Sequence, residues 1–324
     1  MLQIEHGVVQ VVRPAWEGNA YYKIRMKPET WLITGATGLI GQALTQQLLD
    51  KGHVVHALGR TAHGPEGSTP FQWDPQQGVF PMEALKGVQV VVHLAAASVG
   101  QRWTASHKKA IMQSRVQGTA LLRDVLDASG FQGTWIQASA IGMYGNHPAK
   151  CDEATPAGTG FLAEVAQAWE AASQPESQHN FRQVRMRLGL VLAPKGGTLE
   201  KLRPIYNLGL GAPLGSGKQP MGWVHLTDVL QFITWAADTP DASGAYNVVA
   251  PQPATNQEFS RALAQAMARP HWAPNVPAFA LKMAMGEMAS LLLEGQHAMP
   301  QRLLNAKFPW TYPLLSDALR NCLA

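Results

Sequence analysis

Residues 31–41, WLITGATGLIG, constrain the fold of this chain more than any other segment. Residues 31–34 favour a buried strand, and Gly35, Gly38 and Gly41 then recur at every third position. Apolar residues at four-residue spacing after the turn indicate an amphipathic helix. A strand, a glycine turn and a helix in this order suit a dinucleotide pyrophosphate, because the helix N-terminus offers free N–H groups and a partial positive charge. A tight structural turn without a ligand is the alternative.

Each glycine of this turn has its own expected role. Gly35 allows the tight turn, Gly38 lets the backbone approach the phosphates, and Gly41 lets the helix pack closely on its strand. The spacing is G-x-x-G-x-x-G, which differs from the G-x-G-x-x-G of the dehydrogenase type. The residues predicted to hold the cofactor here are Gly35, Ala36, Thr37, Gly38, Leu39 and Ile40.

The strand predicted over residues 53–58 indicates which dinucleotide the turn would hold. In this fold the residue after that strand meets the adenosine ribose, where an acidic side chain accepts hydrogen bonds from the 2′-hydroxyl and repels a 2′-phosphate. No Asp or Glu occurs in residues 57–63, and Arg60 lies there instead. Because arginine is a forked cationic donor suited to phosphate, we predict NADP(H) in preference to NAD(H). A solvated loop cation is the alternative for Arg60.

Two later segments are predicted to line the same cofactor. Asp74, in a third short strand, is placed to reach the adenine edge. The apolar run of residues 88–97 fits a parallel strand covered on both faces, and His93 within it is expected to be a buried, satisfied histidine. Small residues at the end of this strand would leave room for a cofactor ring, since open α/β sheets bind ligands there. The predicted contacts are Leu94, Ala95 and Ala96.

Strands and helices alternate at least five times in the first two thirds of the chain, which predicts a doubly wound parallel sheet. The predicted class is therefore α/β, a Rossmann-like sheet with a smaller, mixed α/β C-terminal domain on the substrate side. Residues 1–29 form an N-terminal extension with short strands at 7–12 and 21–26. Residues 30–193 form the dinucleotide-binding domain, and residues 194–324 form a substrate-side region interleaved with it.

The C-terminal region has a different texture. Residues 195–218 contain six glycines and predict a loop with a short hairpin. Thr255 and Glu258 predict a capping box at a helix start. A methionine-rich stripe at helical spacing is expected in the core, with an adaptable wall of a substrate cleft as the alternative. Its members are Leu281, Met285, Met288 and Leu292.

Composition excludes several classes of protein. A hydrophobic content of 46% with 15% charged residues predicts a compact globular chain. The net charge of +4 comes without a basic run interleaved with aromatics, so no nucleic-acid partner is expected. No signal peptide, membrane-spanning run or metal site is recognised, and only two cysteines occur, so we expect a cytoplasmic protein without a membrane partner. A small-molecule substrate and a possible homodimer complete the expectation.

Several motifs resemble those of the extended short-chain dehydrogenase/reductase superfamily, the relatives of nucleotide-sugar epimerases and dehydratases. They are TGATGLIG, VVHLAA, SAIGMYG and WVHLTDV, and the likeness runs over about residues 28–250. RWT, SRVQGT and WE are similar to an atypical subgroup known as "epimerase family protein". The resemblance implies an NAD(P)-dependent epimerase or oxidoreductase. It also implies a short C-terminal domain of unknown function, at about residues 250–300.

The resemblance further implies a tyrosine and a lysine four residues apart, which would lie on one helix face and transfer protons. This chain has Phe161 and Val165 at those positions. Phenylalanine has no proton to exchange, and valine can neither bind a ribose nor shift a pKa. The hydroxyl partner survives as Ser139, and Arg115 stands where superfamily members often have asparagine.

Two hypotheses for function follow. In the first, the chain is an NADP(H)-dependent oxidoreductase or epimerase with a replacement catalytic set of Ser139, Arg115 and Tyr144. Arg115 would be the electrophilic or anion-holding group. Their structural alternatives are a strand-end cap for Ser139, an ion pair for Arg115 and a packed aromatic for Tyr144. In the second hypothesis the chain binds NADP(H) without turnover, as a sensor or a structural partner, because phosphate contacts are separate from proton chemistry.

Overall fold

The computed structural model describes residues 2–5, 8–11, 28–174 and 180–324. Its strands are β1 Leu2–Glu5, β2 Val8–Val11, β3 Thr30–Thr34, β4 Val54–Gly59, β5 Thr69–Gln72, β6 Val88–His93, β7 Thr134–Ala140, β8 His147–Cys151, β9 Arg182–Leu188, β10 Leu190–Leu192, β11 Pro220–Met221, β12 Trp223–His225, β13 Gly244–Val248, β14 Ala254–Thr255 and β15 Gln296–Ala298. Its α-helices are α1 Leu39–Asp50, α2 Ala105–Ala128, α3 Phe161–Ala172, α4 Gly197–Asn207, α5 Leu226–Asp238, α6 Asn256–Ala266, α7 Ala278–Met285, α8 Ser290–Leu293, α9 Gln301–Asn305 and α10 Leu315–Leu323. Short 3₁₀ helices span Met82–Leu85, Ile141–Tyr144 and Gly286–Ala289.

A seven-stranded sheet in the order β13-β9-β7-β6-β3-β4-β5 organises the chain. All of its neighbouring strands are parallel. The order reverses between β3 and β6, which leaves a crevice at the carboxyl ends of these two strands, where open α/β sheets bind ligands. The predicted doubly wound, Rossmann-like sheet is confirmed.

Both faces of the sheet are covered, because alternate residues of each strand point to opposite sides. On β3, Trp31 and Ile33 lie in a core with Leu44 of α1. Leu32, between them, lies in a second core with Leu122 of α2. This alternation explains why the strand is apolar at successive positions, as expected of a sheet buried on both sides.

The C-terminal region also contributes to the main sheet, since β13 is its edge strand. The prediction of a loop and hairpin over residues 195–218 is wrong, because α4 occupies much of this segment. Leu199 and Tyr206 of α4 are buried in a core shared with Phe259 of α6 and Leu319 of α10. Tertiary packing of this apolar face therefore outweighs the flanking glycines. The predicted capping box of Thr255 and Glu258 is present at α6.

A glycine interrupts one element of the fold but not another. The largely apolar run of residues 184–192 divides at Gly189, so that β10 leaves the main sheet and pairs with β12. A Cβ at Gly189 would lie 2.6 Å from the Gly222 carbonyl oxygen, which shows how closely the backbones approach there. In contrast, α2 runs unbroken through Gly118, where a Cβ would lie 3.3 Å from the Trp73 ring.

The N-terminal extension is described only in part. Strand β2 lies within the strand predicted at 7–12 and pairs antiparallel with β1, whereas the strand predicted at 21–26 lies outside the described residues. Within the described ranges, no helix is both long enough and apolar enough to cross a membrane.

Candidate functional site

The glycine turn joins β3 to α1 at the point where the strand order reverses. Gly35 has a φ of +70°, and a Cβ there would lie 2.9 Å from the Ala95 nitrogen. A Cβ at Gly41 would lie 2.2 Å from the Gly35 carbonyl oxygen. Both positions therefore exclude any side chain. Gly38 precedes α1 without a side-chain cap, so the N–H groups of the first turn are available to an anion.

Thr34 ties the end of β6 to this turn. Its hydroxyl oxygen accepts hydrogen bonds from the backbone N–H groups of Leu94 and Ala95, both at 3.1 Å. With its lone pairs occupied, the hydroxyl donates to Nδ1 of His93 at 2.7 Å, so His93 carries its proton on Nε2 and donates to Thr119. Burial lowers the pKa of His93 to about 3. The prediction of a buried, satisfied histidine is confirmed.

A cavity of about 320 Å³ opens beside the turn. It is lined by Gly35, Ala36, Thr37, Ala57, Leu58, Gly59, Arg60, Thr61 and His63. The structure therefore brings Arg60 together with the first half of the glycine turn. Arg60 is exposed, and its guanidinium forms no ion pair within the part of the chain that the structure describes. Thr61 and His63 were not predicted as lining residues, because only their proximity to Arg60 in sequence points to them.

The remaining predicted cofactor contacts have different settings. Leu94 and Ala95 are half-buried and Ala96 is exposed, at the end of β6 beside the turn. Asp74 does not line the cavity; its carboxylate oxygen Oδ1 accepts the N–H groups of Gln76 and Gln77 in a tight local turn. The adenine contact of Asp74 therefore stays a prediction.

The start of α3 holds Phe161 and Val165, at the two positions where the resemblance implies a proton-transfer pair. The ring of Phe161 packs edge-on against Trp103, with 5.0 Å between ring centroids. Val165 is buried in the same cluster with Trp103 and Ile111 of α2. Apolar side chains packed in one cluster therefore occupy both positions.

The C-terminal region covers this apolar cluster. Met288 and Leu291 pack against it. Lys108 of α2 lies with its Nζ 4.6 Å from the centroid of the Phe161 ring and forms a 2.7 Å ion pair with Glu287. Lys108, which belongs to α2, thus lies near Phe161 of α3, and Glu287 of the C-terminal region balances its charge.

Arg115 is a buried cation on α2. Its Nη1 donates to the carbonyl oxygens of Ala97 and Ile111, at 3.0 and 3.1 Å, and its guanidinium lies 4.9 Å from the ring centroid of Trp169. It forms no ion pair with a carboxylate of the described residues. Burial without such a partner lowers its pKa to about 10, so it remains charged at neutral pH. This guanidinium can still donate a hydrogen bond to an anionic or carbonyl oxygen.

Ser139 is buried at the end of β7, where its hydroxyl donates to Oε1 of Glu170 at 2.7 Å. The two oxygens of Glu170 also accept from Nε and Nη2 of Arg187, at 2.8 and 3.0 Å. This bidentate pair lies inside the protein, with Arg185 as a second cation 3.8 Å from Glu170. Sequence reasoning missed Glu170 and Arg187, although charged residues within an apolar helix face and an apolar strand are the signal that could have found them.

Tyr144 belongs to the same buried network. Its hydroxyl donates to Oδ1 of Asn247 at 2.8 Å and accepts from Nη1 of Arg187 at 2.9 Å. Burial raises the pKa of Tyr144 to about 12, despite the opposing effect of Arg187. A phenol with this pKa and with both hydrogen-bonding roles filled is poorly suited to proton transfer at neutral pH.

Fold and site together define a doubly wound α/β protein with a dinucleotide-type glycine turn. The family model for the NAD dependent epimerase/dehydratase family matches residues 31–249, and a model for a domain of unknown function matches residues 276–322. The chain belongs to the NAD dependent epimerase/dehydratase family. The C-terminal match begins later than the expected 250–300.

Known relatives agree with this assignment. An epimerase family protein of Mycobacterium bovis is 40% identical over 291 residues, which cover 89% of this chain and 95% of the relative. The epimerase family protein YfhF of Bacillus subtilis is 35% identical over 297 residues, which cover 90% and 97%. The crystal structure of the human epimerase family protein SDR39U1 with NADPH matches with a TM-score of 0.81 and 31% identity, covering 91% of this chain and 99% of that one. The predicted subgroup is confirmed.

Proposed function

We propose that this chain binds NADP(H) and is an epimerase-like oxidoreductase of the extended short-chain type, in which Phe161 and Val165 replace the usual proton-transfer pair. The observation that carries the proposal is the turn at Gly35 and Gly41, which excludes side chains and opens beside a cavity containing Arg60. These residues fit a dinucleotide, because free N–H groups suit a pyrophosphate and a guanidinium without an acidic neighbour in residues 57–63 suits a 2′-phosphate. The human relative with NADPH supports the same choice of nucleotide.

Within this proposal, NADP(H) supplies or accepts a hydride when it is bound, and the chain's residues have separate roles. The first turn of α1 holds the pyrophosphate, and Arg60 holds the 2′-phosphate. Arg115 orients an oxygen of a small-molecule substrate and stabilises negative charge on it. Phe161 and Val165 exclude water from the site. Ser139 and Tyr144, whose hydroxyls are bound to Glu170 and Asn247, act as positioning residues rather than proton donors.

Nucleotide choice is tested by titrating NADPH and NADH into the Arg60→Ala variant and following nicotinamide fluorescence. We expect NADPH binding to weaken by about 1.5–3 kcal/mol, the range for a hydrogen bond to a charged group, with NADH nearly unchanged. The control is Arg261→Ala, which removes an exposed arginine from α6. Equal losses for both nucleotides would refute the role of Arg60.

Turnover is tested by following nicotinamide absorbance with carbonyl compounds and sugar nucleotides. We expect turnover that Arg115→Ala abolishes while NADPH still binds. The second candidate function, an NADP(H) sensor or structural partner without turnover, is favoured by the apolar cluster around Phe161 and Val165. Tight NADPH binding with no turnover across the panel would select this second function. Failure to bind either nucleotide would refute both.

A further inference from the structure

Five large apolar side chains are mostly exposed in two segments of the C-terminal region. They are Leu208, Leu210, Trp272, Phe279 and Met283, with exposed fractions of 75%, 56%, 73%, 68% and 79%. We call this set the apolar patch. Single exposed apolar residues are normal on a protein surface, but a group of this size marks an interaction site.

The two segments that carry the apolar patch lie side by side. The N–H of Val276 donates to the Pro213 carbonyl at 2.8 Å, and the N–H of Gly215 donates to the Val276 carbonyl at 2.9 Å. Further along the same segments, a Cβ at Gly209 would lie 3.5 Å from the ring of Pro270. Gly209 separates Leu208 from Leu210, and Trp272 is two residues from Pro270, so these three exposed residues belong to neighbouring stretches of backbone.

Helix α7 follows the second segment directly in the chain and carries Phe279 and Met283 of the apolar patch. Its sequence is AFALKMAM, and none of its residues is buried. The expectation that the methionine-rich stripe lies in the core is therefore wrong for α7, whereas Met288 just beyond it packs on the cluster around Phe161. A short helix that is apolar on nearly every side and covers no core is explained by a surface onto which it docks.

The charges on the two segments favour one kind of docking partner. Residues 204–218 and 268–286 contain Lys218, Arg269 and Lys282 but no Asp or Glu, and all three cations are exposed. A second copy of the chain would bring these like charges together in a symmetric contact. A layer that is apolar inside and anionic at its surface complements both features at once.

We propose that the apolar patch docks this protein on the surface of membranes that contain anionic phospholipids. Apolar and aromatic side chains enter the boundary between headgroups and acyl chains, while lysine and arginine contact the anionic headgroups. The expectation of no membrane partner rested on the length of apolar runs, which concerns only spanning segments. Docking on a surface needs no such run.

The test is cosedimentation of the full chain with vesicles of phosphatidylcholine, with and without phosphatidylglycerol. We expect binding only to the vesicles with phosphatidylglycerol. The triple variant Trp272→Ser, Phe279→Ser and Met283→Ser should abolish this binding. Its control is Val79→Ser with Met82→Ser, which changes two apolar residues, each 52% exposed, outside the patch and should bind like the wild type.

A second pair of variants tests the charges. Arg269→Gln with Lys282→Gln should weaken binding roughly fivefold for each lost cation, and Lys86→Gln with Lys109→Gln, at exposed sites outside the patch, should have a smaller effect. Absence of vesicle binding, or equal binding to vesicles without phosphatidylglycerol, would overturn the proposal. A dimer in analytical ultracentrifugation that only the triple variant dissociates, with no vesicle binding, would identify a second copy as the occupant instead. NADPH titrations are read separately, so this outcome does not bear on the cofactor site.

Discussion

The cofactor turn and the start of α3 differ in what they are made of. The turn consists of glycines and backbone groups, and its geometry leaves no room for a Cβ at Gly35 or Gly41. The start of α3 depends on side chains. Phe161 and Val165, at the positions where a proton-transfer pair is expected, pack there in an apolar cluster. Holding a dinucleotide and moving a proton are therefore physically separable, and a chain can keep the first arrangement while the second is rebuilt.

The buried charges of Glu170 and Arg187, in α3 and β9, extend this contrast. The Glu170 carboxylate accepts hydrogen bonds from the Ser139 hydroxyl and from Nε and Nη2 of Arg187. Tyr144 belongs to the same network because its hydroxyl accepts a hydrogen bond from Nη1 of Arg187. Burial alone would lower the pKa of Arg187, but the hydrogen bonds and charge of Glu170, together with Tyr144, raise it above its ordinary value. We infer that the groups that could have served proton transfer now hold β7, β9 and α3 together.

The largest expected effect comes from Glu170→Gln. This change leaves the buried Arg187 without its counter-charge, and removing one partner of a buried pair costs about 3–5 kcal/mol in the free energy of unfolding. The NADPH dissociation constant of the folded variant should not change, because the glycine turn lies elsewhere. Urea unfolding and NADPH titration measure the two quantities.

Two further variants make this result interpretable. Glu287→Gln removes an exposed partner from the ion pair with Lys108, and exposed pairs contribute about 0–1 kcal/mol. Glu170→Leu with Arg187→Met removes both buried charges and should recover much of the lost stability. A loss of NADPH affinity equal to the loss of stability would break the separation between the two regions.

The next effect concerns the turn itself. Gly41→Ala places a methyl group against the Gly35 carbonyl, so the helix must shift from its strand. Overpacking of this kind costs about 3 kcal/mol, at the upper end of its usual range. NADPH should bind about tenfold more weakly or worse, since the N–H groups at the start of α1 move with the helix.

Gly52→Ala is the matched control for this change. Gly52 follows the other end of α1 with a φ of +82°, and a Cβ there would meet nothing within 4 Å. Only the left-handed conformation is strained, which costs about 1–2 kcal/mol without any effect on NADPH. If the two alanine variants bound NADPH equally well, the turn would be a structural feature without a role in binding.

The turn was predictable because its signals are local. Gly35, Gly38 and Gly41 lie within one short segment, residues 35–41, and Arg60 comes directly after the next strand. Steric exclusion and strand order then follow from general rules of the α/β fold. His63 could not be predicted as a lining residue, because its position depends on how the loop after β4 bends.

The second region was harder to predict because its contacts join distant residues. Ser139 and Glu170 are 31 residues apart, and Glu170 and Arg187 are 17 apart, with no periodic pattern to connect them. The resemblance identified Ser139 and Tyr144 as candidates, but only the structure shows which acceptors their hydroxyls use. Helix α4 was missed for a related reason, since its buried face is fixed by packing against α6 and α10.

The smallest predicted effect concerns His93, the neutral buried histidine beside the turn. Burial lowers its pKa from 6.5 to about 3, so between these values the unfolded chain binds a proton that the folded protein excludes. The contribution of the neutral His93 to the free energy of unfolding is therefore fully present above pH 6.5. It is lost as the pH is lowered towards 3. The expected loss is about 1.4 kcal/mol per pH unit, or about 2 kcal/mol between pH 6.5 and about pH 5.

Urea unfolding of the wild type and of His93→Gln across this pH range measures the contribution. The variant is expected to be less stable at pH 7, because it disturbs the bonds to Thr34 and Thr119, but its stability should fall less steeply with acid. His225, whose pKa burial lowers to about 4, is retained in both proteins, so the difference in slope isolates His93. Identical slopes would mean that His93 takes up its proton in the folded state. The end of β6 would then hold a buried cation against the glycine turn, in addition to the exposed Arg60.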